Sequence, residues 1–376
     1  MKFIVAPNAL KGSLSAKEAA LAISKGLTKK YPEAEIFPLL IADGGDGFVD
    51  ALQHGLSAQV HRASVTGPTG SRVDATFLYA PTNKVAVIEM ATAAGLALLK
   101  KHELDPMGAS TVGVGELLKC ALDLGAKHIV LGIGGSATND GGTGMATALG
   151  IRFLDASGQA LVGNGENLSK ICQIDCTGMD RRLTDITLEV ACDVNNPLLG
   201  EEGAAHIYGP QKGATNVQVA MIENGLSHLA DVIKKDLQVE VRDLSGGGAA
   251  GGLGAGLFAF YQATLKPGAE LLLDILAFDK HIKGACVVIT TEGKLDVQTG
   301  FGKAPAIVAK RAAKQGVPTI AIAGQIEGQG IDWQALGFAQ VYSLCDDDID
   351  ADYAMSHAAC LLEEKTQQVI DGFFAE

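Results

Sequence analysis

The two ends of this chain follow one structural grammar and its middle follows another. At the start, the apolar run Phe3-Ile-Val-Ala6 reads as a strand, and Ala16, Ala19, Ala20, Ile23 and Leu27 then recur at helical spacing. Ser15, with Glu18 three residues on, forms a capping box that fixes where this helix begins. Residues 35–41 read as a second strand and residues 48–52 as the start of a second helix. Near the end, residues 286–290, 318–323 and 341–344 read as strands, with helices over 304–315 and 354–373. Alternation of this kind builds parallel sheets with helices on their faces. The middle opens differently. Residues 60–66, 74–79 and 84–89 alternate apolar and polar side chains and are separated by turn pairs such as Gly67-Pro68, which predicts an antiparallel meander. A helix over 112–124 and strands over 129–132 and 187–192 follow. Both ends therefore fit one sheet, with the middle inserted between them, and 376 residues suit two domains.

The densest local signal is Gly132-Ile-Gly-Gly-Ser-Ala-Thr-Asn-Asp-Gly-Gly-Thr-Gly-Met145, six glycines in fourteen residues between a strand and an expected helix start over 145–149. Glycine lets backbone N–H groups approach a ligand closely, and a helix N-terminus adds a positive dipole end. Ser136, Thr138, Asn139 and Asp140 add short polar side chains. Such a turn suits a phosphate or carboxylate. A second run, residues 246–256, fits either a ligand cradle or close helix packing.

No Gly-x-x-x-x-Gly-Lys-Ser/Thr motif occurs, so the common P-loop is absent. Gly246-x-Gly248-x-x-Gly251, after an expected strand over 239–244, and Gly132-x-Gly134-x-x-Ala137 both imitate a dinucleotide fingerprint. Among 47 glycines such matches arise easily, and no His-centred site for hydride transfer accompanies them. A phosphoryl-transfer site outside the P-loop class needs a phosphate cradle, cations and a carboxylate. Lys11, Lys212 and Lys303 stand in loop contexts. Asp43, Asp193 and the pair Glu292 and Asp296 each follow an apolar strand and precede a turn, a repeated design that points to a site although a lone Asp often only caps a turn.

The formal charge of −13 argues against nucleic acid, which demands clustered Lys and Arg. The seven scattered cysteines lack zinc-ligand spacing. The N-terminus reads as a strand and not a signal peptide, and residues 249–261 are too short and glycine-rich to span a bilayer. These features predict a soluble, cytoplasmic protein with neither nucleic-acid nor membrane partners.

Six collinear segments resemble the bacterial type I glycerate kinases: the Gly132 run, Ala6-Pro-Asn-Ala-Leu-Lys-Gly-Ser-Leu-Ser15, Ile41-Ala-Asp-Gly-Gly-Asp-Gly47, Ala191-Cys-Asp-Val-Asn-Asn-Pro-Leu198, Tyr208-Gly-Pro-Gln-Lys-Gly-Ala214 and Thr291-Glu-Gly-Lys-Leu-Asp-Val-Gln-Thr299. The resemblance implies an α/β protein in which a flavodoxin-like parallel-sheet domain, discontinuous over 1–62 and 285–376, carries a large inserted α/β domain over 63–284. It implies phosphorylation of D-glycerate by ATP with Mg²⁺, favouring 2-phosphoglycerate over 3-phosphoglycerate. A kinase of another small hydroxy acid and a non-catalytic carboxylate or nucleotide sensor are the alternatives. In this reading Asp193 orients or deprotonates the hydroxyl, Lys11 and Asp43 complete the catalytic set, and Asp43 and Asp296 are candidates for Mg²⁺. Gly134, Gly135, Ser136, Thr138, Asn139, Asn195, Lys212, Gly247, Gly248, Glu292 and Lys303 contact substrate or phosphate. Two positions depart from the family pattern: Asn8 stands where an acid is usual, and Thr291 where a glycine is usual.

Overall fold

The structure is a computed structural model and describes residues 1–43, 47–328, 330–346 and 348–375. The Gly44-Gly45 turn expected after Asp43 lies outside the described residues. The chain divides into two compact units, Met1–Ser57 with Pro267–Glu376, and Ala58–Lys266.

The first unit holds a five-stranded, wholly parallel sheet ordered Gln340–Ser343, Thr319–Ile326, Val287–Leu295, Lys2–Pro7, Glu35–Pro38. Counted in chain order within this sheet the strands run 2-1-3-4-5, the flavodoxin-like arrangement. The first strand is sheltered from both faces and reads as an unbroken apolar run for that reason. Helix Ala16–Lys30 starts at the expected capping box: the Glu18 N–H donates to Ser15 Oγ at 3.3 Å, and the Ser15 N–H to Glu18 Oε2 at 2.9 Å. It packs along helix Ala358–Ala375, while helix Ala304–Ala313 packs on strands Val287–Leu295 and Thr319–Ile326. Ala321 and Ala323, alternate residues on one strand face, meet Ala306 and Ala309 of that helix in one buried cluster with Leu295 and Phe338.

The second unit holds a six-stranded mixed sheet ordered Thr264–Lys266, Thr187–Ala191, His128–Gly132, Val85–Glu89, Arg72–Ala80, Gln59–Thr66. The first four strands are parallel and the last two complete the expected antiparallel meander. Glu89, Gly132 and Ala191 lie in register, so the chain leaves all three strands at one edge of this sheet. Two large apolar clusters fill the unit, one centred on Ile129, Leu131 and Leu253, the other on Ile222, Leu226 and Phe260.

Several expectations need correction. The cuts near 62 and 284 move to 57 and 267, because strand Gln59–Thr66 pairs along its length with Arg72–Ala80, and helix Gly268–Ile275 packs on Phe48–Leu56 and Ala304–Ala313. Residues 239–244 form no strand; Val241 is buried in a turn, which removes the context the Gly246 dinucleotide fingerprint requires. The helix after the Gly132 run is Thr143–Ala148, beginning before Met145. The expected last helix is two, Ala351–Ser356 and Ala358–Ala375, broken at His357. Among the described residues no helix is long and apolar enough to cross a membrane.

Candidate functional site

In the first unit the strand Lys2–Pro7 delivers Asn8 to the carboxyl edge of the sheet. Its backbone is clamped there: the N–H donates to the Thr291 carbonyl, and Thr291 Oγ1 donates to the Asn8 carbonyl at 2.6 Å. The side chain is only 7% exposed. Its Nδ2 donates to Asp43 Oδ2 and to Glu292 Oε2, each at 3.1 Å, and its Oδ1 accepts the Ala9 N–H. One amide thus joins two carboxylates. Asp43 also accepts the Ala304 N–H, at the positive end of helix Ala304–Ala313. Burial pushes the Glu292 carboxyl up to about 7; the Asp43 charge pushes the same way, against the Asn8 hydrogen bond and the Lys303 charge. Beyond Asn8, Leu10 and Leu14 bond each other across a tight turn whose Gly12 has φ +82°, and Lys11 projects from it, exposed.

Asp296, assigned to Mg²⁺ with Asp43, is engaged elsewhere. It caps the short helix Val297–Phe301 through the Gln298 N–H at 2.9 Å and pairs with Lys303 Nζ at 3.3 Å. Burial opposes its charge, but the Lys303 bond and charge together with the Gln298 N–H hold its carboxyl below the ordinary value. Asp43 is therefore bridged to Glu292, and Asp296 is matched with Lys303.

In the second unit the Gly132 run is organised by Asp140, which is wholly buried. Its Oδ2 accepts Thr111 N–H at 2.8 Å, Thr111 Oγ1 at 2.7 Å and Gly144 N–H at 3.2 Å, and its Oδ1 accepts Gly142 N–H at 3.1 Å. Thr111 Oγ1 in turn accepts the Met145 N–H at 2.8 Å. The starts of helices Val112–Asp123 and Thr143–Ala148 are thereby tied together. Burial pushes the Asp140 carboxyl up, against these four donations. Lys212, 1% exposed, donates to the Thr138 carbonyl at 2.6 Å. Desolvation lowers its ammonium to about 7, against the attraction of Asp140. Thr138 Oγ1 and Asn139 Oδ1 are buried with no hydrogen-bond partner, while Asn139 Nδ2 donates to the Pro106 carbonyl. Gly134 and Gly135 are exposed and Ser136 is nearly buried; nothing lies within 4 Å of a Cβ built at Gly134.

Strand Thr187–Ala191 leads to Asp193 and Asn195, both exposed, and Asn195 Oδ1 accepts from Ser245 Oγ at 3.1 Å. The run 246–256 stitches this loop to the Gly132 run. Gly248 N–H donates to the Asn196 carbonyl and Gly141 N–H to the Gly251 carbonyl. A Cβ at Gly248 would meet the Pro197 oxygen at 2.2 Å, and one at Gly251 (φ +67°) the Thr138 oxygen at 2.0 Å. A Cβ at Gly247 would meet the Leu244 oxygen at 2.9 Å. Close backbone packing accounts for these glycines.

The second unit therefore gathers Thr138, Asn139, Lys212 and the 193–196 loop, while the first gathers Asp43, Glu292, Lys303 and Lys11. Three residues escaped sequence reasoning. Asp140 was legible only as one of several short polar side chains, although an Asp directly before Gly-Gly-Thr-Gly is a cap signal. Thr111 and the bridging role of Asn8 carry no local pattern. Among the described residues no group of three or more His, Cys, Asp or Glu is placed to hold a metal ion.

A family model for the glycerate kinase family matches residues 3–373. The chain is 44% identical over 369 residues to a glycerate kinase of Halalkalibacterium halodurans, covering 97% of this chain and 96% of that one. It is 46% identical over 326 residues to the glycerate 2-kinase of Escherichia coli K12, covering 87% and 86%. A Salmonella typhimurium LT2 crystal structure described as a glycerate kinase 2 superposes with a TM-score of 0.89 at 41% identity, covering 100% of this chain and 98% of that one.

Proposed function

The chain belongs to the glycerate kinase family, a phosphotransferase acting on the glycerate hydroxyl with ATP as donor, and on that premise we propose that it converts D-glycerate to 2-phosphoglycerate. The choice of the 2-hydroxyl draws support from the 46% identity to the Escherichia coli glycerate 2-kinase.

The observation that carries the reading is the Asn8 amide held between Asp43 and Glu292 at the carboxyl edge of a parallel sheet, with Lys303 near Glu292. Loops at that edge form the ligand crevice in such sheets. Two adjacent carboxylate oxygens suit Mg²⁺, which takes one or two carboxylates, waters and phosphate oxygens and needs no all-protein cage. Asp43 and Glu292 are the residues that would hold it, in place of the Asp43 and Asp296 pair. When bound, Mg²⁺ supplies charge neutralisation at the phosphate oxygens. Asn8 keeps the two acids together, and the Ala304 N–H fixes Asp43. In the second unit, Asp193 is exposed after its strand and has the role of orienting or deprotonating the attacking hydroxyl. Lys212 offers a desolvated amine beneath the Gly132 run, beside the buried Thr138 and Asn139 oxygens that hold unused hydrogen-bond acceptor capacity.

The test is ADP release from MgATP with D-glycerate, beside L-glycerate, glycolate, D-lactate and tartronate, with phosphorus NMR of the product. Release with D-glycerate and a 2-phosphate resonance is expected. A 3-phosphate product would overturn the regiochemistry, and release only with another acid would overturn the substrate.

A further inference from the structure

The first unit contains a cavity of about 350 Å³ at the carboxyl edge of its sheet. Leu10, Lys11 and Ser13, after the first strand, and Glu292, Gly293, Lys294 and Asp296, at the end of strand Val287–Leu295, form part of its lining. Those two strands are adjacent, and from them the sheet runs outward in opposite directions, so the cavity sits at the topological switch point. The lining has two characters. Leu344, Ala351, Ala354, Met355 and Ala358 make an apolar wall, with Ala354 and Ala358 buried. Lys11, Lys294 and Lys303 supply cations, with Glu292 and Asp296 between them. In a chain of net charge −13, three lysines on one cavity are a local reversal of sign.

We propose that this cavity is the adenine-nucleotide site, the alanine wall taking the base and the lysine side taking the phosphates; this rests on the kinase reading above. The volume lies in the range of small-molecule sites and exceeds what a three-carbon hydroxy acid fills. Alanines end at Cβ and leave a flat, apolar slot of the kind a purine ring needs, and glycerate has no apolar surface to offer it. Met355 is 48% exposed, and its side chain at the cavity lining gains a partner when a base enters. Lys11 has no ion-pair partner among the described residues and stands ready for a phosphate, whereas Lys294 already pairs with Glu327 and Lys303 with Asp296.

Cys345 also lines the cavity and reports its occupancy. The full-length protein is treated with N-ethylmaleimide, and labelling of Cys345 and of the exposed Cys172 is followed by peptide mass spectrometry, with a non-hydrolysable ATP analogue or D-glycerate present. Binding of the analogue is measured in parallel by calorimetry. With the analogue at ten times its dissociation constant, Cys345 labelling slows roughly 11-fold, Cys172 is unaffected, and glycerate protects neither. Ala354→Leu and Ala358→Leu, which narrow the slot, each weaken analogue binding at least ~10-fold, the loss expected when a base no longer fits its pocket. Calorimetric binding without Cys345 protection, or with both variants unchanged, overturns the assignment, as does absence of binding. Protection and weakened binding without phosphate transfer to D-glycerate would leave the nucleotide site standing and overturn the kinase reading alone.

Discussion

Lys212 gives the most demanding test of the second unit, because its burial makes stability depend on pH in a defined direction. The amine is 1% exposed and reaches the Thr138 carbonyl at 2.6 Å, and desolvation carries it from an ordinary 10.5 to about 7. Between those values the unfolded chain binds a proton that the folded chain does not. Folded stability from this group therefore rises as pH climbs from about 7 towards 10.5, and is flat below 7. At 1.36 kcal/mol per pKa unit, the interval from pH 7 to pH 9 contributes about 2–3 kcal/mol. Lys212→Met keeps most of the buried volume, abolishes the titration and leaves the Thr138 carbonyl without its donor, at a cost of about 1–3 kcal/mol. Above pH 10.5, where the amine is neutral in both the folded and the unfolded chain, the lost bond alone makes the variant the less stable protein. As pH falls from 9 to 7 the variant gains about 2–3 kcal/mol relative to the wild type, and the order of the two reverses where the cost of giving up the Lys212 proton outweighs the lost bond. Urea unfolding of both proteins at pH 7, 8 and 9, without nucleotide, reads this directly. A gap that stays constant would refute the reasoning and mean that attraction to Asp140 keeps the buried ammonium charged.

Three further outcomes are expected. Gly251→Ala places a Cβ at a left-handed φ, 2.0 Å from the Thr138 oxygen, and should lower stability by at least ~3 kcal/mol, whereas Gly134→Ala meets nothing within 4 Å and should stay within ~0.5 kcal/mol of wild type in thermal unfolding. Comparable melting temperatures for the two would show that the run 246–256 does not pack as described. Asn8→Asp replaces the donor shared by Asp43 and Glu292 with a third acid. At pH 8 in EDTA it should lose about 1–3 kcal/mol, and Mg²⁺ should restore part of this; indifference to Mg²⁺ would argue against a cation at these carboxylates. Asp193→Asn should leave the protein folded and lower kcat at least ~10²-fold, so a near-normal rate would remove Asp193 as the base.

Where one side of an element is buried and the other wet, its periodicity announces it: the first helix begins at its expected cap, and the antiparallel meander falls within two residues of its expected limits. The exceptions have physical causes. Strand Val287–Leu295 continues past Thr290 because the backbone of Glu292, Lys294 and Leu295 pairs with residues 323–326, and ladder hydrogen bonds leave no trace in side-chain hydropathy. Residues 239–244 look like a strand because Val239 and Val241 alternate with polar neighbours. Yet Val241 is buried in a turn, where Glu240 accepts the Val241 and Arg242 N–H groups and pairs with Lys234. Unit boundaries were misplaced because the helix Gly268–Ile275 is amphipathic towards partners far away in sequence, Phe48–Leu56 and Ala304–Ala313.

The acids of the first unit show why a site is harder to read than a fold. Asp43, Glu292 and Asp296 share one local description, an acid after an apolar strand, and nothing in that description separates them. Their partners do. Asp296 meets Lys303 within its own turn and is stabilised as a charge, while Glu292 meets Asp43 through Asn8 and is pushed towards the neutral form. Asn8, which in the sequence looks like a lost charge, is the group that makes this pairing possible. A carboxylate at position 8 would bring a third negative charge against the other two and would require a proton or a cation to offset it, whereas an amide presents both N–H donors at once. Its meaning depends on two residues brought to it by different strands, and so it becomes visible only when the sheet is closed.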